Sequence, residues 1–429
     1  MVLFFLVLGV IIAGLVLRFF FRSESKDKET NILVFSWGDL EENQVLIELI
    51  NDFMKLNPSI SVTLRRTPYV KYSETIFSYL KGRGPDVIFV EVNNFADFFH
   101  QKILEPLDSY AKTDRLDFTD FYPAVLDRFT SKKQTYVIPR DTAPWCLVYY
   151  NKSAFDEANV PYPKDNWDWD QFVETALKVQ KKSLRGEVLR WGFIDDKILP
   201  SAWIFSAGGS FADDVHQPTR WTFANDPNTL KGIQFRYDLI HKHKVSLAPS
   251  KIAGFTESEG SDMFRFGSAA MYLSGLKWTP HFREIKNFKW DVAMLPKGPS
   301  GDRAFSTGGS GYGITRQSKN KPAAWKLVKY LTSEEAERKR MASGLAQPAL
   351  RKMANSELFL DQKDPLNKKI LIDAVQYVKY FPLCGNWQEV ENLITAGLER
   401  VWEGNEIPEA AMEKLKSILR DHPPLVVPK

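Results

Sequence analysis

The sequence predicts an α/β protein of two domains, on three observations. At 429 residues the chain is too long to close around one core. From residue 31 onward, apolar runs of strand length alternate with helically spaced segments. One run, Val87-Ile-Phe-Val90, is short and continuously apolar, as suits a central parallel strand covered on both faces.

Composition narrows the function. Hydrophobic content of 44% and charged content of 26% are ordinary globular values. A net charge of +4, with no Lys/Arg run interleaved with aromatics, argues against a nucleic-acid partner. The 12 Trp, 15 Tyr and 30 Phe are unusual. Tryptophan offers a broad apolar face and one N–H donor, which suits the apolar faces and polar rims of sugar rings, although most aromatics serve a core. Cys146 and Cys384 form neither a disulfide framework nor a metal site. Outside the cytoplasm they can pair; the preferred reading is two small buried hydrophobes. The six histidines are scattered, with no HExxH or CxxC, so neither a metal nor a cofactor is expected.

The elements follow in order. Val2 to Leu17 is apolar, and with Phe19 to Phe21 beyond Arg18 it reads as a signal or a membrane anchor over residues 1–22. No small-x-small cleavage site or acylated cysteine follows it. The positive charge, Arg18, Arg22, Lys26 and Lys28, lies after the apolar run, an order that by the positive-inside rule favours a body inside. Residues 23–30 are a polar linker. Ile32 to Trp37 is a strand, Glu42 to Leu56 a helix stopped at Asn57-Pro58, Ile60 to Leu64 a strand and Lys71 to Lys81 a helix ended by Gly82. Ligands of open α/β sheets bind beyond the carboxyl ends of strands, which places Trp37, Asp39, Glu41, Asn93 and Asn94 on one rim. Tyr136 to Pro139 and Trp145 to Tyr150 are extended runs whose joint, Arg140 to Pro144, reads as a crossover between lobes. Helices are expected over Trp169–Lys181, around Pro200–Ala207, and over Asn228–His241. Met271 to Ser274 and Trp290 to Leu295 are strands, and Gly308 to Ile314 crosses back. Pro322–Leu331, Lys368–Val378, Val390–Trp402 and Glu409–Leu419 are amphipathic helices.

Several segments together resemble a known family. They are the opening strand to Trp37-Gly38, Gly84-Pro-Asp-Val-Ile-Phe89, Leu104-Glu-Pro-Leu-Asp108, Tyr136-Val-Ile-Pro139 with Val148-Tyr-Tyr-Asn-Lys152, Phe266-Gly-Ser-Ala-Ala-Met271, Leu295-Pro296, Gly308-Gly309 before Gly313-Ile314, and Ser318 to Trp325 leading to Tyr330-Leu-Thr-Ser333. Their collinearity from about residue 31 to 350 resembles the extracellular solute-binding proteins of bacterial ABC importers, in the branch for maltose, other oligosaccharides and glycerol-3-phosphate. The resemblance implies a two-lobed periplasmic-binding-protein fold with several hinge crossings and a cleft between lobes. The implied lobes are 31–140 plus 309–345 and 141–308 plus 346–429. It also implies an extracytoplasmic, monomeric protein that closes on a carbohydrate and docks on transmembrane permease subunits.

Each candidate ligand residue has a competing structural role. Trp37 and Trp278 match the family's stacking aromatics, Trp278 most closely, against core filling at a strand end. Asp39 and Glu41 offer acceptors to hydroxyls, or cap the following helix. Asn93 and Asn94 are polar contacts or a turn. Arg140 and Asp141 are a hinge salt bridge, or Asp141 holds hydroxyls. Trp203 precedes Gly208-Gly209 where the family often offers an aromatic. Gly308 and Gly309 turn amides toward a ligand or give a flexible crossover. Trp387 closes the cleft from the C-terminal helices. Arg140 and Arg351 keep open a phosphorylated polyol. A glycosidase needs two facing carboxyls, and no nucleophile elbow or phosphate-binding Gly loop with Lys accompanies the carboxylates, so an enzyme is disfavoured. A membrane-tethered solute sensor is the alternative use of the same body.

Overall fold

The computed structural model describes residues 30–38, 40–68, 71–195, 200–252, 259–344, 346–361 and 363–426. The apolar segment Val2–Phe21, the linker before Thr30, and Asp39 lie outside the described residues.

Two sheets organise the chain. Their strands, together with the separate pair β9 and β12, are in chain order β1 (Thr30–Ser36), β2 (Ile60–Arg66), β3 (Val87–Glu91), β4 (Val137–Thr142), β5 (Leu147–Asn151), β6 (Ile194–Asp195), β7 (Met271–Ser274), β8 (Trp290–Met294), β9 (Phe305–Ser306), β10 (Ser310–Ile314), β11 (Gln347–Pro348) and β12 (Val378–Lys379). The first sheet runs β11-β4-β10-β3-β1-β2 and the second β6-β7-β5-β8. β1 lies parallel to both β2 and β3, while β10 lies antiparallel to β3 and β4. The fold is therefore α/β with two lobes, each built on its own sheet.

The Gly84-Pro85-Asp86 turn has a structural job. Asp86 accepts from the Leu33 N–H at 2.9 Å and from the Ser318 hydroxyl at 2.6 Å. One buried carboxylate thus fastens β1 and the returning chain to the start of β3, satisfying donors at a sheet end. The helix α1 (Leu40–Leu56) buries Leu46, Leu49, Ile50 and Phe53 at helical spacing, and begins two residues earlier than predicted.

Two crossings join the lobes, residues 143–146 and 307–309, and they form a ribbon. Gly308 N–H donates to the Ala143 carbonyl at 2.8 Å, and Trp145 N–H to the Ser306 carbonyl at 2.9 Å. A third passage follows β11, which is an edge strand of the first sheet. By Asn367, whose amide donates to the Val292 carbonyl at 3.1 Å, the chain is back on the second sheet. The helix expected over Lys368–Val378 is α-helical only over Ile370–Ala374 and tightens to a 3-10 turn over Val375–Tyr377, and Val378–Lys379 instead pairs as a strand with Phe305–Ser306. Helices α2 (Trp387–Trp402) and α3 (Pro408–Arg420) close a second core with Ile204, Phe211, Phe223 and Trp387.

Candidate functional site

A cavity of about 570 Å³ opens where the ends of β1, β3 and β4 face the loop after β7, with the crossing ribbon as its floor. That volume lies within the usual range of small-molecule sites, and domain interfaces are where such sites form. Its walls carry Trp37 from the first lobe, Trp145 from the first crossing, and Trp278 from the second lobe. Trp37 is half-buried and packs edge-on against Phe89, ring centres 5.6 Å apart. Trp278 is half-buried too, with the Lys277 ammonium 5.0 Å from its ring centre and His281 at 5.6 Å.

Arg140 is the hub of the polar wall. It is buried and pairs with Glu42, donates from Nε to Asp141 Oδ2 at 2.8 Å and to Ser310 Oγ at 3.0 Å, and lies over the Phe89 ring at 4.5 Å. The Ser310 hydroxyl donates to the same Asp141 oxygen at 2.7 Å. Burial works against the guanidinium charge, but Glu42 and Asp141 outweigh it and hold Arg140 well above its ordinary value. Glu91 stands nearby. Burial first, then the charges of Glu42 and Asp141, push its carboxyl up to about 8. Behind the wall, burial and then Arg140 lower the Arg340 guanidinium.

Of the residues singled out by sequence, Trp37, Asp141, Trp278, Gly308 and Gly309 line this cavity. Gly308 spends its amide on the ribbon, and a Cβ there would lie 3.1 Å from the Ala143 Cβ and 3.2 Å from Trp145 Nε1. It serves close approach of the two crossings rather than presenting an N–H to a ligand. Gly309 has φ +63°, a conformation that side chains disfavour.

The other candidates are elsewhere. Trp203 is fully buried, with Nε1 donating to Asp195 at 3.4 Å and rings of Phe235, Phe172 and Phe193 within 6 Å; it is core of the second lobe. Trp387 is also core, stacked on Phe381 at 4.9 Å. Asn94 caps a helix: its Oδ1 accepts from the Glu91 N–H at 2.9 Å while the Glu91 carboxylate accepts from the Asn94 N–H. Asn93 is on the same helix and is not among the lining residues. Glu41 sits in the first turn of α1, its side chain outside what the structure describes, and the next residue, Glu42, lines the cavity. Arg351 donates to the Thr119 carbonyl on the outer surface and leaves Arg140 as the relevant arginine of that pair. Sequence reading missed Trp145, Glu42, Glu91, Lys277, His281 and Arg340. Trp145 was the findable one, because it directly follows the crossover joint.

Among the described residues no cluster of His, Cys, Asp and Glu could hold a metal ion. Both cysteines are free and buried.

A family model for bacterial extracellular solute-binding proteins matches residues 37–338. The chain belongs to that family. This solute-binding protein is 21% identical over 404 residues to the galactooligosaccharide-binding protein of Bacillus subtilis, covering 91% of this chain and 89% of the relative. It is 24% identical over 332 residues to the maltotriose-binding protein of Pyrococcus abyssi, covering 75% and 67%. Among solved structures, an ABC substrate-binding protein from Listeria monocytogenes in complex with cycloalternan superposes with a TM-score of 0.82 at 22% identity, over 92% of this chain and 99% of that one. Such an identity speaks to the fold: two lobes, as in this solute-binding protein. Membership of an extracellular family implies an extracytoplasmic location. No helix among the described residues is long and apolar enough to cross a membrane.

Proposed function

We propose that this protein is the capture component of an ABC importer, taking a carbohydrate into the cleft between its lobes and passing it to the membrane permease. The observation that carries the reading is the set of three indoles, Trp37, Trp145 and Trp278, contributed by one lobe, the crossing and the other lobe. Indole faces with nearby carboxylates and an arginine match a ring with apolar faces and a hydroxyl rim. The relatives named above are, by their names, binders of galactooligosaccharide and maltotriose, and the Listeria protein holds cycloalternan. Closure follows if the ligand touches both walls only in the shut form, since it can favour that form only by binding it better. The chemistry is binding, without turnover, by Trp37, Asp141 and Trp278 with the newly placed Trp145. In this reading the body acts outside the cytoplasmic membrane as a monomer, with Val2–Phe21 serving as an export signal or a membrane anchor.

The test is a thermal-shift screen of the soluble body against mono- and oligosaccharides and glycerol phosphates. A ligand at a hundred times its dissociation constant adds about 2.7 kcal/mol. A melt shifted by sugars in the native protein and not in Trp278→Ala supports the reading. Sugars without effect, beside a different solute class that shifts the melt, refute it.

A further inference from the structure

The charges around the cavity are not evenly committed. Three carboxylates line it, and each has a protein partner. Glu42 and Asp141 are paired with Arg140, and Glu91 accepts the Asn94 backbone N–H at the start of its helix. Three cations line it as well, and only Arg140 is paired in this way. Lys277 has no ion pair or hydrogen bond among the described residues. It is exposed to the cavity, and its ammonium rests 5.5 Å from the Trp145 ring centre and 5.0 Å from that of Trp278. Arg340, on the opposite lobe, is 5% exposed. Its Nη2 donates to the Leu331 carbonyl at 2.9 Å, while Nε and Nη1 have no partner and no carboxylate forms an ion pair with it among the described residues. Glu337, three residues back, spends one oxygen on the Ala349 and Leu350 amides and leaves the other unbonded.

At buried Arg340 a cation without an ion-pair partner is costly, and an anion brought in by a ligand offsets part of that cost, while the exposed Lys277 ammonium is open to contact with such an anion. The surplus straddles the cleft, with Lys277 able to touch a ligand from the second lobe and Arg340 adding its field from inside the first. Lys277 also lies between two indole faces, so a sugar ring stacked there would carry its substituents past the ammonium.

We propose, building on the carbohydrate reading above, that the solute is an acidic sugar, a ring bearing one anionic substituent read by Lys277. A carboxylate on the ring and a phosphate ester share this chemistry.

The experiment is calorimetric titration of the full soluble body with uronic-acid oligosaccharides, sugar phosphates and the neutral sugars of equal length, with native protein, Lys277→Gln and Lys277→Arg. A charge-assisted hydrogen bond predicts that an acidic sugar binds roughly tenfold or more tighter than its neutral counterpart. That ratio should collapse toward one in Lys277→Gln, persist in Lys277→Arg, and shrink as salt rises. The uronate and phosphate arms identify which anion is read. Neutral sugars binding as well as acidic ones to the native protein, or a ratio unaltered by Lys277→Gln, overturns the acidic-sugar proposal and leaves the carbohydrate reading standing. Sugars of either kind failing to bind overturns both.

Discussion

Replacing Arg140 by methionine is the sharpest single perturbation of this cleft. Methionine keeps an unbranched stem over the Phe89 ring and removes only the charge and its donors. What remains is Glu42 and Asp141 without their counter-ion, beside a third carboxyl, Glu91. Breaking a buried ion pair by deleting one partner costs about 3–5 kcal/mol. The structure points to the lower end. The Glu42 side chain retains 20% exposure and can turn toward water, whereas Asp141, at 6%, cannot but keeps the Ser310 hydroxyl. The expected loss is therefore about 3 kcal/mol. Asp141→Asn is the control. It leaves Arg140 with Glu42 and still accepts from Ser310, so it should cost only about 1–2 kcal/mol, one weakened hydrogen bond. For an unfolding unit of about 200 residues the unfolding entropy is about 0.4 kcal/mol/K, so Arg140→Met should lower Tm by about 7 °C and Asp141→Asn by about 2–5 °C. Calorimetry of the ligand-free body at pH 7 reads both. An Arg140→Met protein melting within 2 °C of the native one, or an Asp141→Asn protein falling as far as Arg140→Met, would refute the assignment of Arg140 as the counter-ion of a buried carboxylate group.

Three further outcomes separate the cleft from the core. Trp203→Ala should destabilise by about 3–5 kcal/mol through the cavity it leaves, measured by urea unfolding, whereas Trp278→Ala, whose ring is half-exposed at the cleft, should cost less than half as much; equal losses would contradict the placement of the two indoles. Gly309→Ala should cost about 1 kcal/mol, because alanine must adopt φ +63° at the crossing, and the same chemical denaturation detects it. Glu91 sets a pH dependence: its carboxyl titrates at about 8 when folded against an ordinary 4.5, so the folded state holds a proton that the unfolded chain has released. Its contribution is fully present below pH 4.5 and is lost as pH rises through 8, so Tm should fall from pH 5 to 8 and fall less steeply in Glu91→Gln. Glu337, raised to about 8 by burial, keeps some slope in that variant; identical slopes in the two proteins would refute the role of Glu91.

The fold was largely legible because it rests on periodicity. The strands at Ile32, Ile60, Val87, Leu147, Met271 and Trp290 announced themselves as apolar runs between turn residues, whereas their division between two sheets came only from the resemblance and is set by the structure. What failed was local and sterically decided. Val378 reads as the end of a helix until Phe305 offers it an edge to pair with. The site was legible only where a residue's position in the backbone fixes its direction. Trp37 ends a parallel strand at the sheet's carboxyl edge and must emerge at the rim. Trp203, in contrast, is on a short helix where a rotation of one position turns its indole from cleft to core, and the surrounding Phe172, Phe193 and Phe235 that take it inward come from three distant segments. The same blindness hid Glu42, which is separated from Arg140 by 98 positions.

A single geometric fact explains which residues ended up in the cleft. The two crossings are hydrogen-bonded to each other, Gly308 to Ala143 and Trp145 to Ser306, so they form one ribbon rather than two independent strands. The chain entering that ribbon carries Arg140, Asp141 and Thr142, and the chain leaving it carries Gly309 and Ser310. Arg140 and Ser310, 170 positions apart, meet because the ribbon puts β4 and β10 side by side in one sheet. Trp145 is held upright by the same contact, since any side chain at position 308 would press on its indole nitrogen. The ion network and the aromatic floor are thus two consequences of one backbone pairing. A substitution that separates the crossings should therefore disturb both together, the Arg140 network through Ser310 and the stacking surface through Trp145, even though neither group is touched.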